Sequence, residues 1–107
     1  MSKIIIGEED KEKTFKVSRG DSIVISLGEN PSTGYLWKVC AVDKEILDME
    51  NSEFSIFPST GIGGGGIRSF HFKVALPGST KIQLKLQYPW EGSNSSIKDF
   101  MVYIDAL

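Results

Sequence analysis

The chain has 107 residues, of which 40% are apolar and 24% charged, and its formal net charge is −2. This length predicts one domain, residues 1–107, with enough apolar side chains for its own core. Acidic residues (14) outnumber basic ones (12), so the charge does not favour a nucleic-acid partner, whose phosphates require a cationic surplus. One cysteine excludes an internal disulfide and is typical of a reducing compartment. Because no signal peptide or membrane-spanning apolar run is visible, we expect a cytoplasmic protein, with delivery by vesicles as the alternative, that binds neither nucleic acid nor membrane. A monomer is the default expectation.

Alternation of apolar and polar residues predicts half-buried β-strands along most of the chain. In chain order these are 3–6, 13–17, 22–28, 35–42, 53–57, 67–76, 80–88 and 97–105. The clearest case is 81–87, where Ile82, Leu84 and Leu86 face inward and the lysines and glutamines between them, the last being Gln87, face water. Residues 43–51 lack a sustained helical stripe and predict a turn or a short irregular piece.

Seven or eight short strands in about 100 residues favour an all-β fold, an immunoglobulin-like antiparallel β-sandwich, with a barrel as the alternative. Trp37 suits the core of such a sandwich, and Cys40 in the same strand is interpreted as a small buried hydrophobic residue. The paired cysteines of immunoglobulin domains are absent, so packing alone must hold the two sheets together.

Three loops rich in glycine, serine and proline separate the strands, at 28–34, 58–66 and 88–96. In an up-and-down sandwich, loops separated by two strand crossings emerge at the same end. We therefore expect all three loops at one tip, which is how antibody variable domains build a binding surface on a rigid scaffold.

The first loop carries the motif Asn30-Pro31-Ser32-Thr33-Gly34-Tyr35. Asn30 can hydrogen-bond the backbone two residues on, Pro31 restricts φ, and Gly34 permits a positive φ. The motif predicts a stiff turn that presents the hydroxyl groups of Ser32 and Thr33, although taken alone it is also typical of an ordinary solvent-facing turn.

The second loop ends in four consecutive glycines, Gly63, Gly64, Gly65 and Gly66. Without side chains they allow another backbone to approach closely, but the same run also fits a flexible connector. The third loop begins Tyr88-Pro89-Trp90. Pro89 ends the preceding strand, and Trp90 is then either an exposed binding anchor or a cap on the open end of the core.

These motifs together resemble those of the chagasin-like inhibitors of papain-type cysteine peptidases, a family with an immunoglobulin-like sandwich and three inhibitory loops. The segment from Asn30 to Tyr35 matches the first family loop, Asn-Pro-Thr-Thr-Gly-Phe/Tyr, with Ser32 in place of one threonine. Residues 63–66, followed by Phe70-His71-Phe72, match its Gly-x-Gly-Gly loop. Residues 88–90 match its Arg-Pro-Trp loop, with Tyr88 in place of arginine. The motifs fall in the family's order over essentially the whole chain.

The resemblance implies a reversible, tight-binding competitive inhibitor that forms a 1:1 complex with a papain-like cysteine peptidase. It implies that the first loop enters the active-site cleft, with Ser32 and Thr33 close to the catalytic cysteine and histidine. The glycines 63–66 would line one wall through main-chain hydrogen bonds, and Trp90 would pack on the other wall. Since Tyr88 cannot pair with a carboxylate as arginine does, we expect a shifted target preference.

The alternative function is an immunoglobulin-like adhesion or protein-interaction module with no peptidase target. Catalysis is not expected, because the single histidine, His71, faces outward from a strand and not toward the loop hydroxyls. The glycine run lacks the Lys-Ser/Thr and the helix of a phosphate-binding loop. The sequence has no cluster of histidine, cysteine and carboxylate residues typical of a metal site, so we expect no cofactor and no metal.

Overall fold

A computed structural model describes residues 2–56, 65–91 and 96–107 of the chain. Within these ranges the chain forms eight β-strands: β1 Lys3–Ile6, β2 Thr14–Val17, β3 Ser22–Glu29, β4 Leu36–Ala41, β5 Leu47–Ile56, β6 Gly66–Val74, β7 Gly78–Gln87 and β8 Lys98–Ala106. Short 3-10 turns lie at Glu8–Asp10 and Pro31–Thr33. No helix in these ranges has the length and apolar character needed to cross a membrane.

The strands form two four-stranded sheets, in the orders β1-β3-β6-β5 and β2-β8-β7-β4. The predicted all-β sandwich is therefore confirmed, and four of the strand pairs are antiparallel, as expected: β3–β6, β5–β6, β4–β7 and β7–β8. Two of the edge strands differ from the prediction, because β1 pairs parallel to β3 and β2 pairs parallel to β8. Parallel neighbours need a crossover connection, and the path from β1 to β3 supplies one by passing through β2 in the opposite sheet.

The core lies between the two sheets, where alternate side chains of each strand meet. Most residues predicted to face inward in β6, β7 and β8 are buried: Phe70, Phe72, Val74, Ile82, Leu84, Phe100, Val102 and Ile104. Leu86, also predicted to face inward, is only partly buried and packs against this core. Trp37 is buried among them, as predicted, and its ring N–H donates to the Gly28 carbonyl oxygen at 2.8 Å. Alternation of residue types was therefore sufficient to identify the core face of these strands.

Strand β5 begins at Leu47, within the segment that was predicted to be a turn or an irregular piece. Leu47 is fully buried opposite Val74, but most side chains that follow it are exposed because β5 is an edge strand. Charged side chains at exposed edge positions remove the alternation that identifies a strand. A shift of register between Met49 and Asn51 disrupts the pattern further.

Two side chains lie on the opposite side from their prediction. Cys40 is exposed rather than buried, because the pairing of β4 with β7 shifts between Val39 and Ala41 and removes Cys40 from the regular ladder. Gln87, predicted to face water, is only 3% exposed at the end of β7. Its side-chain oxygen has no hydrogen-bond partner among the described residues.

Asp21 lies at the end of the sandwich where β3 begins. Its carboxylate accepts hydrogen bonds from the backbone N–H of Ser2 and of Ser18, both at 2.9 Å. These two bonds, that from Ser2 first, lower the pKa of the Asp21 carboxyl because they stabilise its charged form. The ionised carboxylate thus ties the start of the chain to the turn before β3.

Candidate functional site

The three loops that carry the motifs leave the sandwich at one end. The first loop begins after Glu29 in β3, and Glu29 pairs with Gly66, where the second loop ends. In the other sheet, Leu36 at the start of β4 pairs with Gln87 at the end of β7, so the first and third loops are also neighbours. We call the described motif residues at this end, 30–35, 65–66 and 88–90, the tip. Their convergence confirms the prediction for these residues.

Residues of the first and second loops line one concavity of about 530 Å³. Asn30, Thr33 and Tyr35 come from the first loop, and Gly65 and Gly66 from the end of the second. Gly63 and Gly64, which complete the predicted glycine motif, lie outside the described residues. The described part of the second loop therefore shares one open surface with the first loop.

Gly66 has to be a glycine because of packing within the chain itself. A Cβ atom at this position would overlap the carbonyl oxygen of Ser55 and lie 2.7 Å from the Phe54 ring. Both groups belong to β5, so the missing side chain allows β5 and β6 to approach closely where they enter and leave the second loop. The approach of a partner's backbone to this loop stays a prediction.

The first loop is held in shape by its own hydrogen bonds. The side-chain oxygen of Asn30 accepts from the N–H of Ser32 at 3.1 Å and from its hydroxyl at 2.7 Å. The Thr33 hydroxyl donates to the Asn30 carbonyl oxygen at 2.8 Å and accepts from the N–H of Tyr35 at 3.3 Å. Gly34 has a φ of +85°, the left-handed conformation that the sequence predicted. The motif residues thus form the stiff turn that was expected of them.

These internal bonds decide what the two exposed hydroxyl groups can offer to a partner. A hydroxyl has one hydrogen to donate and two lone pairs that accept. Ser32 and Thr33 each donate their hydrogen within the loop, and Thr33 also accepts one bond there. Ser32 therefore retains two lone pairs and Thr33 retains one, so both present hydrogen-bond acceptors to a donor outside the chain.

A stack of three aromatic rings connects the first loop to the third. The ring centroids of Tyr35 and Tyr88 are 4.1 Å apart at an interplanar angle of 16°, and those of Tyr88 and Trp90 are 4.7 Å apart at 14°. Gly34 lies against the stack, because a Cβ there would be 3.2 Å from Tyr88. Tyr88, which stands where the resemblance places an arginine, is thus the central ring that joins the two loops.

Trp90 is 72% exposed, which decides between the two interpretations of this residue. It does not cap the core, but has one face on Tyr88 and leaves most of its surface to solvent. A hydrogen bond with Tyr88, together with burial, raises the pKa of the Tyr35 hydroxyl above its ordinary value. Because stacking restrains the indole before any partner arrives, burying it on binding costs little conformational entropy.

The described residues of the tip have the chemistry of a binding surface and not that of a catalytic or metal site. None of the motif residues 30–35, 63–66 and 88–90 carries a charge. His71 lies on the outer face of β6, as predicted, with Nε2 2.9 Å from a carboxylate oxygen of Glu53. In the ranges that the structure describes, no group of three or more histidine, cysteine and acidic residues is placed to hold a metal ion. The described residues of the tip offer hydrogen-bond acceptors and an aromatic surface.

An ion pair beneath the tip was not identified from the sequence. The Glu29 side chain is fully buried and accepts from the N–H of Trp37 at 2.8 Å and from Nη2 of Arg68 at 2.9 Å. One signal could have revealed it. Glu29 comes two residues after the inward-facing Leu27 in β3, and Arg68 comes two residues before the inward-facing Phe70 in β6. Because every second side chain of a strand points to the same side, alternation places both charged side chains inside.

Comparison with known proteins points to one family. Residues 16–104 match the family described as Chagasin family peptidase inhibitor I42. Chagasin of Trypanosoma cruzi is 33% identical over 97 residues, 87% of this chain and 88% of that protein. Amoebiasin-2 of Entamoeba histolytica is 32% identical over 95 residues, 88% of this chain and 77% of that protein. The crystal structure of the cysteine protease inhibitor EhICP2 from Entamoeba histolytica has a TM-score of 0.91 at 27% identity, covering 100% of this chain and 97% of that one.

Proposed function

Because the chain belongs to the chagasin family of peptidase inhibitors, we propose that it inhibits papain-like cysteine peptidases by reversible, competitive binding of its tip in the active-site cleft. The convergence of the three motifs carries this proposal. Tyr35, Tyr88 and Trp90 form one stack, and the first and second loops line one concavity. Such a tip is a rigid wedge, and a wedge suits the V-shaped cleft of a papain-type enzyme.

The first loop forms the centre of the wedge. A papain-type active site holds a thiolate beside a protonated imidazole, which is a hydrogen-bond donor. Ser32 and Thr33 present acceptors, so their hydroxyl oxygens suit N–H groups around that site. The hydroxyl hydrogens already bond within the loop and no base adjoins them among the described residues, so the loop supplies no nucleophile of its own. In this proposal no peptide bond of the loop lies in line with the peptidase thiolate, and binding is therefore non-covalent. Inhibition is then competitive and reversible.

The other two loops contact the two walls of the cleft in this proposal. The glycines 63–65 lie along one wall, where the absence of side chains permits hydrogen bonds between main chains. Trp90 packs its exposed ring on the other wall, against apolar or aromatic side chains. Tyr88 contributes by orienting Trp90 rather than by pairing with a carboxylate.

Titration of the purified chain into papain, with a fluorogenic peptide substrate, tests the proposal. We expect turnover to fall to zero near one inhibitor per enzyme, higher substrate concentration to weaken the inhibition, and the chain to be recovered uncleaved. Leu76→Ala is the control, because Leu76 is an exposed apolar residue in the β6–β7 turn at the opposite end. Its inhibition should equal that of the wild type. Full papain activity at micromolar protein favours the adhesion or interaction module.

A further inference from the structure

A carboxylate is buried directly beneath the tip. Glu29 is the last residue of β3, and its side chain is fully buried. Removing a carboxylate from water is costly unless hydrogen bonds and an opposite charge replace the solvent. Here Oε1 accepts from Nε of Arg68 at 3.1 Å and from its Nη2 at 2.9 Å, while Oε2 accepts from the N–H of Trp37 at 2.8 Å.

The groups around this carboxylate all flank the inhibitory loops. Glu29 immediately precedes the first loop, and Trp37 follows it in the other sheet. Arg68 is near the start of β6, just after the second loop. Its guanidinium lies 5.3 Å from the ring centroid of Phe54, which is near the end of β5, just before that loop. One carboxylate and its guanidinium partner therefore contact both ends of the first loop and both ends of the second.

Directional bonds hold these flanks, whereas most of the core is apolar. Among the described residues, the side chains buried between the sheets away from the tip are apolar apart from Asp21 at the opposite end, and apolar contacts have little directional preference. At the tip, the Trp37 backbone donates to Glu29 and the Trp37 ring donates to Gly28, so two bonds fix the spacing of β3 and β4. Stability alone does not require a charge here, because apolar residues of similar volume often stabilise a core equally well.

We propose that Glu29 is a positioning residue of the inhibitor. Together with Arg68 it sets the spacing and orientation of the first and second loops, and it strengthens peptidase binding through them without touching the peptidase. The effect on binding rests on the proposed function, whereas the effect on the loops belongs to the free protein.

The test compares Glu29→Gln, which keeps the size but removes the charge, with Val102→Ala. Val102 is fully buried in the middle of β8, where it pairs with Ile82, so we expect its truncation to lower stability without altering the loop flanks. Both variants are assayed under conditions where circular dichroism shows them folded. We expect Glu29→Gln to raise the papain Ki about tenfold or more, mainly through faster dissociation. Val102→Ala should stay within about twofold of the wild type.

A double-mutant cycle identifies the route of the effect. If Glu29 acts through the first loop, Thr33→Ala raises Ki by a smaller factor in the Glu29→Gln background than in the wild type. If the rise in Ki of the double variant equals the product of the rises of the two single variants, the two residues act independently and the proposal is contradicted. So would a Glu29→Gln Ki within twofold of the wild type, or an equal rise in Val102→Ala.

Amide hydrogen exchange of the free protein supplies a readout that needs no peptidase. We expect the N–H groups of Thr33 and Tyr35, which are bonded within the first loop, to exchange faster in Glu29→Gln than in Val102→Ala. Unchanged exchange overturns the positioning role. If the wild type does not inhibit papain, the proposed function fails while this comparison still decides the role of Glu29. Arg68→Lys, which keeps the charge but not the two-pronged contact, replaces Glu29→Gln if that variant does not fold.

Discussion

The two tryptophans of this chain allow binding and folding to be separated with one residue type. Trp90 is 72% exposed at the tip, and Trp37 is 6% exposed in the core. We expect Trp90→Ala to lose inhibition with little loss of stability. We expect Trp37→Phe to lose stability, because it removes indole volume and the bond to the Gly28 carbonyl oxygen.

The size of the expected rise in Ki for Trp90→Ala follows from the exposed surface of Trp90. A large aromatic side chain buries up to about 250 Å², and at 72% exposure up to about 180 Å² of Trp90 is available to a partner. At about 25 cal/mol per Å² its burial contributes up to about 4.5 kcal/mol. Incomplete coverage and ordering costs reduce this to about 2 kcal/mol, roughly a 30-fold rise in Ki. The folded chain loses only the stack on Tyr88, about 1 kcal/mol.

The assay measures the papain Ki and the urea unfolding free energy of each variant. The expected pattern is a large change in Ki for Trp90→Ala and a large change in unfolding free energy for Trp37→Phe. An unchanged Ki for Trp90→Ala would refute the role of the exposed ring in binding. A loss of stability in Trp90→Ala as large as that in Trp37→Phe would show that Trp90 acts as part of the core.

Three further predictions concern single positions. Gly34→Ala places a Cβ 3.2 Å from Tyr88 at a φ of +85°, so we expect it to cost about 1 kcal/mol of stability and to raise the papain Ki; an unaltered melting temperature and Ki would contradict this. Thr33→Ala should weaken inhibition by about 1–3 kcal/mol, whereas Thr33→Ser keeps the hydroxyl and most of the affinity; equal losses in both variants would rule out a role for the hydroxyl. Asp21 has a lowered pKa in the folded chain, so its stabilisation is present above the pKa of an ordinary aspartate and is lost as pH falls through the folded value. Melting temperatures measured from neutral into acid pH should therefore fall less steeply for Asp21→Asn than for the wild type, with inhibition at neutral pH unchanged; identical acid profiles would exclude this contribution.

Asp21 also offers a control for the position of the binding site, because it lies at the end of the sandwich opposite to the tip. Asp21 lies where β3 begins and the first loop lies where β3 ends, so the two are separated by the length of the strand. A change at Asp21 that lowers stability without altering Ki would show that the fold tolerates damage at one end while the tip at the other end still binds. Glu29, at the tip end of the same strand, provides the contrasting case.

The sequence alone was sufficient to predict those features of the structure whose physical cause lies in residues close together in the chain. Alternation identifies the core face of β6, β7 and β8, because successive side chains of a strand always point to opposite sides. Turn chemistry predicted the first loop, since the bond from Ser32 N–H to Asn30 and the positive φ of Gly34 involve residues within the motif itself. The order of loops and strands was also sufficient to predict one tip.

Only the tertiary structure decided features that depend on residues far apart in the chain. The exposure of Cys40 follows from a register shift against β7, and β5 is a strand because β6 pairs with it. The bond between Glu29 and Arg68 joins residues 39 positions apart, and the stack of Tyr35 on Tyr88 joins two loops from different strand connections. Local preferences cannot specify such contacts, because they form only when the two sheets close over their common core and bring the loop flanks together.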